Sequence, residues 1–210
     1  RMVMFDVTNT LMELTEPVGR TYARIAAKYD ILVDEEAMDV GFRREFGLME
    51  DMGYDLVVGD VVRAEKRERE WWRKLVRNVM QCEDNEAYDS CFNECFDHFA
   101  TNKAWKLFPE VKQTLDSLRN QGCRVAILSN WDLRLERLLT ELELREYAEF
   151  VILPAHVGCQ KPDEAIFRVA LERAARESPG GLLEASRCLY VGDSVKRDVR
   201  GSEAVGMVPV

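Results

Sequence analysis

Met2–Leu11 reads MVMFDVTNTL: four apolar residues run without alternation into Asp6, with Thr8 two positions on. A short apolar run lacking polar alternates suits a strand buried on both faces, the habit of parallel sheets. Three further runs follow: VAIL before Ser129, FVIL at Phe150 to Leu153, and CLYV ahead of Gly192 and Asp193. Between the last three lie RLERLLTELEL and DEAIFRVALERAARE, with apolar residues at helical spacing. Strands alternating with helices predict a doubly wound, Rossmann-like α/β core built on a parallel sheet.

In such sheets the ligand sits beyond the carboxyl ends of the strands. Asp6, Ser129 and Asp193 stand at three of those ends, and the fourth run leads through PAHVGCQ to Lys161. Taken singly, each has an ordinary reading as a turn, a cap or a surface lysine; four in this order point to one crevice. A carboxylate at a strand end serves as nucleophile or metal ligand, and the acids of VGDSVKRD, Asp193 and Asp198, suggest a cation shared with Asp6. Hard oxygen ligands suit Mg²⁺. Magnesium would let Asp6 meet a phosphate, with Lys161 neutralising the remaining charge. Ser129, with Asn130 in the turn that follows, is the expected holder of a phosphoryl oxygen.

Glu16 to Ala100 reads differently, as helices with no buried strand. Tyr22, Ile25, Ala26 and Tyr29 share one face, and Tyr88, Cys91, Phe92, Cys95, Phe96 and Phe99 form an i, i+3, i+4 stripe. AEKREREWWRKLVRNVM is a charged helix that turns Trp71, Trp72, Leu75 and Val79 inward, and GLMEDMGYDLVVGD reads as a loop. The expected division is therefore 1–15 with 101–210 as the α/β core and 16–100 as an all-helical insertion after the first strand.

With 210 residues, 47% of them hydrophobic, the chain can bury a sizeable core. A formal net charge of −9 argues against nucleic acid and anionic membrane as partners. Six cysteines without CxxC spacing predict reduced thiols in a reducing compartment, here the cytoplasm, rather than a zinc site or a disulfide framework. No stretch reads as a membrane span or signal peptide. The chain starts inside a strand and stops as another begins, so a targeting segment has room to lie outside it.

FDVTNTL, LSNWD, KPDEAIF and VGDSVKRD together resemble the four ordered motifs of the haloacid dehalogenase superfamily, and the helical insertion sits where that family's C1 cap sits. The resemblance spans nearly the whole chain. It implies that Asp6 is the nucleophile that forms an aspartyl phosphate, Ser129 the phosphate-binding residue and Lys161 the lysine that stabilises the nucleophile. It also implies Mg²⁺ held by Asp6, the Thr8 carbonyl and Asp193, with Asp198 as ligand or outer-shell acid, and a small phosphorylated metabolite as substrate.

Thr8 departs from the pattern, because family phosphatases carry an acid–base aspartate there and a hydroxyl does not titrate near neutrality. General acid–base help is worth about 10² to 10⁴ in rate. Two readings follow: a weak magnesium-dependent phosphohydrolase or phosphotransferase, or a regulatory binding protein that keeps the fold. A 2-haloacid dehalogenase is a distant third, since those enzymes lack the equivalent of Asp193. Ser129 has no G-x-S-x-G elbow, and the two histidines read as a core-flanking residue (His98) and a loop residue near Lys161 (His156), so a serine hydrolase is set aside.

Overall fold

The computed structural model describes residues 1–210, apart from the side chain of Pro179. The chain divides into two compact units, Arg1–Glu13 with Gly53–Ala64 and Leu107–Val210, and Leu14–Met52 with Glu65–Lys106. In chain order the strands are β1 (Met2–Phe5), β2 (Met12–Leu14), β3 (Trp105–Leu107), β4 (Arg124–Leu128), β5 (Val151–Ile152), β6 (Cys188–Val191) and β7 (Val208–Pro209). The α-helices are α1 (Val18–Ala26), α2 (Glu35–Leu48), α3 (Val61–Met80), α4 (Glu86–His98), α5 (Val111–Asn120), α6 (Leu135–Glu141), α7 (Pro154–Val157), α8 (Glu164–Arg176) and α9 (Arg200–Ala204).

Unit one is a five-stranded sheet in the order β5-β4-β1-β6-β7, and every pair is parallel. All four expected runs are strands of it. β1 lies in the centre with all four residues buried, as its unbroken apolar run requires. Its register sets Phe5 opposite Ile127 and Val191, so the strands on both sides end level with Asp6. In the sheet the chain goes from β1 to β4 and β5 on one side, then crosses back to β6 and β7 on the other, which makes this edge a topological switch point.

Alternate residues Met2 and Met4, Ala126 and Leu128, Cys188 and Tyr190 pack on one face against Ile166, Phe167, Ala170 and Ala174 of α8. Val3, Phe5, Val125 and Ile127, between them in sequence, are buried too. α8 starts at Asp163, whose carboxylate accepts from Ala165 N at 2.8 Å, and ends on Arg173 and Arg176, charges that complement the helix dipole.

Unit two is carried by α1, α2, most of α3 and α4. Tyr22 and Ile25 of α1, Leu75, Val76 and Val79 of α3, and Tyr88, Cys91, Phe92 and Cys95 of α4 form its core, the stripe legible in the sequence. Burying each large apolar side chain contributes roughly 1.5–3 kcal/mol. Asp34 and Asn85 cap α2 and α4, accepting from Ala37 N and Tyr88 N at 2.8 and 2.9 Å.

Three features depart from the expected layout. β2 and β3 form a separate two-stranded ribbon, and the flanking bonds Thr15 N to Ala104 O (2.9 Å) and Phe108 N to Leu11 O (3.2 Å) make it antiparallel. Strands of three mixed residues carry no readable period. α5 supplies the crossover ahead of β4; its buried side chains are only Val111 and Leu115, too few to read as an amphipathic stripe. Residues 53–64, expected within the insertion, belong to unit one. Tyr54 and Val57 are buried there, and the chain passes so close to Gly158 (φ +87°) that a Cβ at 158 would meet Val58 Cγ2 at 2.3 Å.

Two glycines give opposite expectations. A Cβ on Gly201 of α9 would lie 2.5 Å from Cε2 of fully buried Phe167, so Gly201→Ala should destabilise by about 1–3 kcal/mol despite alanine's better helix propensity. Gly47 of α2 has no atom within 4 Å of such a Cβ, and Gly47→Ala should stabilise by about 0.5 kcal/mol. Urea unfolding followed by circular dichroism measures both; a Gly201→Ala protein as stable as its parent contradicts the packing described.

Candidate active site

Asp6 leaves β1 with its own N–H still in the sheet, donating to Val191 O at 2.9 Å. Its side chain is buried, and Oδ1 accepts a hydrogen bond from Ser129 Oγ at 2.6 Å and is ion-paired with Lys161 Nζ at 2.9 Å. Oδ2 takes no bond among the described residues and is the open oxygen of the carboxylate. Ser129 reaches it because it follows β4, whose register with β1 brings the two strand ends together.

Lys161 is only 3% exposed, a depth at which an ammonium must be fully paired. Nζ donates to Asp198 Oδ1 at 2.6 Å and Tyr190 Oη at 2.8 Å and lies 2.9 Å from Asp6 Oδ1 in an ion pair. Tyr190 in turn donates its phenolic proton to Leu128 O at 2.6 Å. Burial, reinforced by the carboxylates of Asp6 and Asp198, holds the Tyr190 phenol well above its ordinary range, so it remains neutral and keeps both bonds. Asn130, expected to contact substrate, has both ends of its amide on the main chain of Lys161: Oδ1 accepts from Lys161 N at 2.7 Å and Nδ2 donates to Lys161 O at 2.9 Å.

Asp198 is 1% exposed and lies in the π-helical turn Val195–Val199 that follows β6. Its Oδ2 accepts from Ser194 N at 2.9 Å, and Ser194 Oγ accepts from Arg197 N at 3.2 Å. This approach needs glycine at 192, where a Cβ would stand 2.5 Å from Asp198 Cγ. Asp193, more exposed, accepts from Asn9 Nδ2 at 3.2 Å. Asn9 sits at φ 59°, a left-handed conformation that asparagine tolerates. It belongs to a turn in which the N–H groups of Thr10, Leu11 and Met12 converge on Val7 O.

Thr8 is half-buried, and its Oγ1 accepts a hydrogen bond from Trp131 Nε1 at 2.7 Å. Its carbonyl takes no bond among the described residues. Carboxylate oxygens of Asp6, Asp193 and Asp198 all lie within 4.8 Å of one another. Three carboxylates beside one ammonium leave excess formal negative charge in a largely buried cluster, the environment a divalent cation suits. Hard oxygens are the donors it would find.

Of the residues expected at the site, Asp6, Ser129, Lys161 and Asp198 meet through direct contacts, and Asp193 lies alongside. Tyr190, Trp131 and Asn9 were not anticipated. Tyr190 carried the one available signal, a polar tip inside an otherwise apolar run. His156 accepts from Leu153 N through Nδ1 at 3.2 Å, closing α7, and His98 lies in unit two with its ring edge-on to Phe99 at 5.5 Å. Neither is among the partners of Asp6.

Similarity to known proteins agrees with this geometry. A model of haloacid dehalogenase-like hydrolases matches residues 1–206. The chain is 33% identical to mouse haloacid dehalogenase-like hydrolase domain-containing protein 3, over 99% of this chain and 79% of that protein. It is 26% identical to the Rhythmically expressed gene 2 protein of Drosophila melanogaster, over 98% and 80%. The magnesium-bound HAD-hydrolase YfnB of Bacillus subtilis shares the fold with a TM-score of 0.70 at 14% identity, over 100% of this chain and 86% of that one. Among the described residues no helix is long and apolar enough to cross a membrane. The parallel sheet, the acids and lysine gathered at its switch point and the match along almost the whole chain lead to one assignment: this protein belongs to the haloacid dehalogenase-like hydrolases.

Proposed function

We propose that the chain is a magnesium-dependent phosphohydrolase or phosphotransferase that acts on a small phosphorylated metabolite through an aspartyl phosphate on Asp6, and that it turns over slowly. The observation that carries this reading is the division of labour on Asp6: Ser129 and Lys161 hold Oδ1 at 2.6 and 2.9 Å while Oδ2 stays open. A carboxylate fixed in this way has paid its orientation entropy before substrate arrives. Mg²⁺ would be held by Asp6, the Thr8 carbonyl and Asp193, and when bound it supplies charge neutralisation for the phosphoryl group. Asp198 orients Lys161 and the Ser194 loop. Lys161 and Ser129 steady the nucleophile, and Ser129 would donate to a phosphoryl oxygen by turning its hydroxyl from Asp6 Oδ1.

Slow turnover follows from Thr8. After phosphoryl transfer the aspartyl phosphate must be attacked by water, and no general base stands at residue 8 to take that water's proton. Six free cysteines support a reducing, cytoplasmic setting. The same Thr8 supports a second reading, a regulatory binding protein that keeps the fold and the cation with little turnover.

Beryllofluoride with Mg²⁺ should be trapped on Asp6, because trapping needs nucleophile, cation and lysine but no proton transfer. Fluorine NMR should show the bound species in the parent and lose it in Asp6→Asn; equal signals in both proteins would refute the nucleophile. By calorimetry, Asp193→Asn should weaken Mg²⁺ binding by about tenfold or more, since one carboxylate of the set is neutralised. Thr8→Asp should raise phosphatase turnover by about tenfold or more, given the usual 10² to 10⁴ range of acid–base help. Trapping without any Mg²⁺-dependent turnover, in the parent or in Thr8→Asp, favours the binding-protein reading.

A further inference from the structure

The bond between Trp131 and Thr8 bears on which phosphoryl donors the site can use. An indole N–H only donates, so at 2.7 Å the Thr8 hydroxyl must accept, and its own proton points away from the ring. That proton is unclaimed among the described residues. The donors that surround Asp6 are directed elsewhere, and the Ser129 hydroxyl proton is on Asp6 Oδ1 itself. Lys161 Nζ donates to Asp198 and Tyr190 and is ion-paired with Asp6, and the proton on Tyr190 goes to Leu128 O. Asp198 is held by Lys161 and Ser194 N, and Asp193 accepts from Asn9. The other unclaimed donors beside this network, the Ser194 hydroxyl and the second N–H of Asn9, are neutral like Thr8 and hand no proton to a departing oxygen.

We infer that the site takes phosphoryl donors whose leaving group departs as a stable anion, acyl phosphates and related mixed anhydrides, and that Trp131 is a positioning residue for this selectivity because it fixes the Thr8 hydroxyl as a donor. The inference rests on phosphoryl transfer to Asp6. The step balances without a proton: an Asp6 carboxylate oxygen forms the new O–P bond, the P–O bond to the leaving group breaks, and its electron pair leaves with a carboxylate. Thr8 donates a hydrogen bond to the bridging oxygen and keeps its proton. An alkyl phosphate would have to expel an alkoxide, which one neutral hydrogen bond does not stabilise enough.

Acetyl phosphate, phenyl phosphate and glycerol phosphate rank leaving groups from least to most basic. Each is mixed with the whole chain and Mg²⁺, and the covalent phosphoenzyme is followed by intact mass, with Asp6→Asn as the control. Acetyl phosphate should label Asp6 at least about 10²-fold faster than phenyl phosphate, the span general acid catalysis would otherwise close, and glycerol phosphate should not label it. Trp131→Phe, which keeps the ring and removes the N–H, should widen the acetyl-to-phenyl ratio by about five- to tenfold, the worth of one hydrogen bond. Thr8→Val keeps the side-chain shape and should widen it equally, and the double variant should go no further than either. Labelling by glycerol phosphate at a rate near that of acetyl phosphate overturns the inference, because it requires a proton donor from elsewhere. Equal loss with both donors in Trp131→Phe, or additive effects in the double variant, overturns the role of Trp131. Beryllofluoride trapping run alongside separates these outcomes from failure of the underlying reading: if the parent neither traps beryllofluoride nor labels with any donor, phosphoryl transfer itself is wrong and the selectivity falls with it.

Discussion

The ammonium of Lys161 is the point on which the rest of unit one converges. A charge 3% exposed to solvent costs several kcal/mol of desolvation unless it is well paired, and here two carboxylates and a phenol surround it. These three groups come from three different segments: the end of β1, the strand β6 and the π-helical turn beyond it. Holding one lysine therefore fixes the relative heights of the central strands and the loop that follows. Its main chain is clamped as well, since Asn130 closes a two-bond ring with it from the end of β4. The clamp and the buried ammonium fasten the same residue from opposite ends.

This arrangement explains why polar groups with no hydrophobic contribution of their own can lie under a parallel sheet. Tyr190 faces the α8 side, edge-on to Phe167 at 5.2 Å, yet its hydroxyl reaches the Leu128 carbonyl and the lysine. A phenylalanine would pack in that place but would leave an ammonium proton and a carbonyl without partners, and an unpaired buried group costs about 1–3 kcal/mol. Gly192 plays the complementary part by removing a side chain where Asp198 must pass. Both positions trade local packing freedom for the geometry of one carboxylate, Asp6.

Charge on this edge is unevenly matched. The single charge of Lys161 is shared between Asp6 and Asp198, and the exposed Asp193 is met by the neutral amide of Asn9. An anionic phosphate approaching such an edge would be repelled unless a cation came with it or before it, so cation and phosphate are linked through electrostatics. Thr8 adds a neutral hydroxyl to the same edge, held by the indole of Trp131.

The order of the elements was legible from the chain because buried parallel strands are written as local runs. MVMF, VAIL, FVIL and CLYV each mark a strand; Asp6 and Ser129 directly follow two of them and Asp193 follows Gly192 after a third, so one-dimensional pattern was enough to nominate Asp6, Ser129, Lys161, Asp193 and Asp198 as candidates. The helical stripes of unit two were equally local, set by the 3.6-residue period. What the sequence could not reveal were contacts that depend on how distant segments meet. The ribbon β2–β3 joins residues about ninety positions apart, residues 53–64 left their expected neighbours for unit one, and Trp131 reached Thr8 across 123 positions. Thr8 itself announced a missing acid, but only the fold determined that its hydroxyl is held by an indole. The physical reason is that a strand or helix is encoded by the spacing of neighbours, whereas a hydrogen bond between side chains exists only after the register of the sheet has placed both partners within 3 Å.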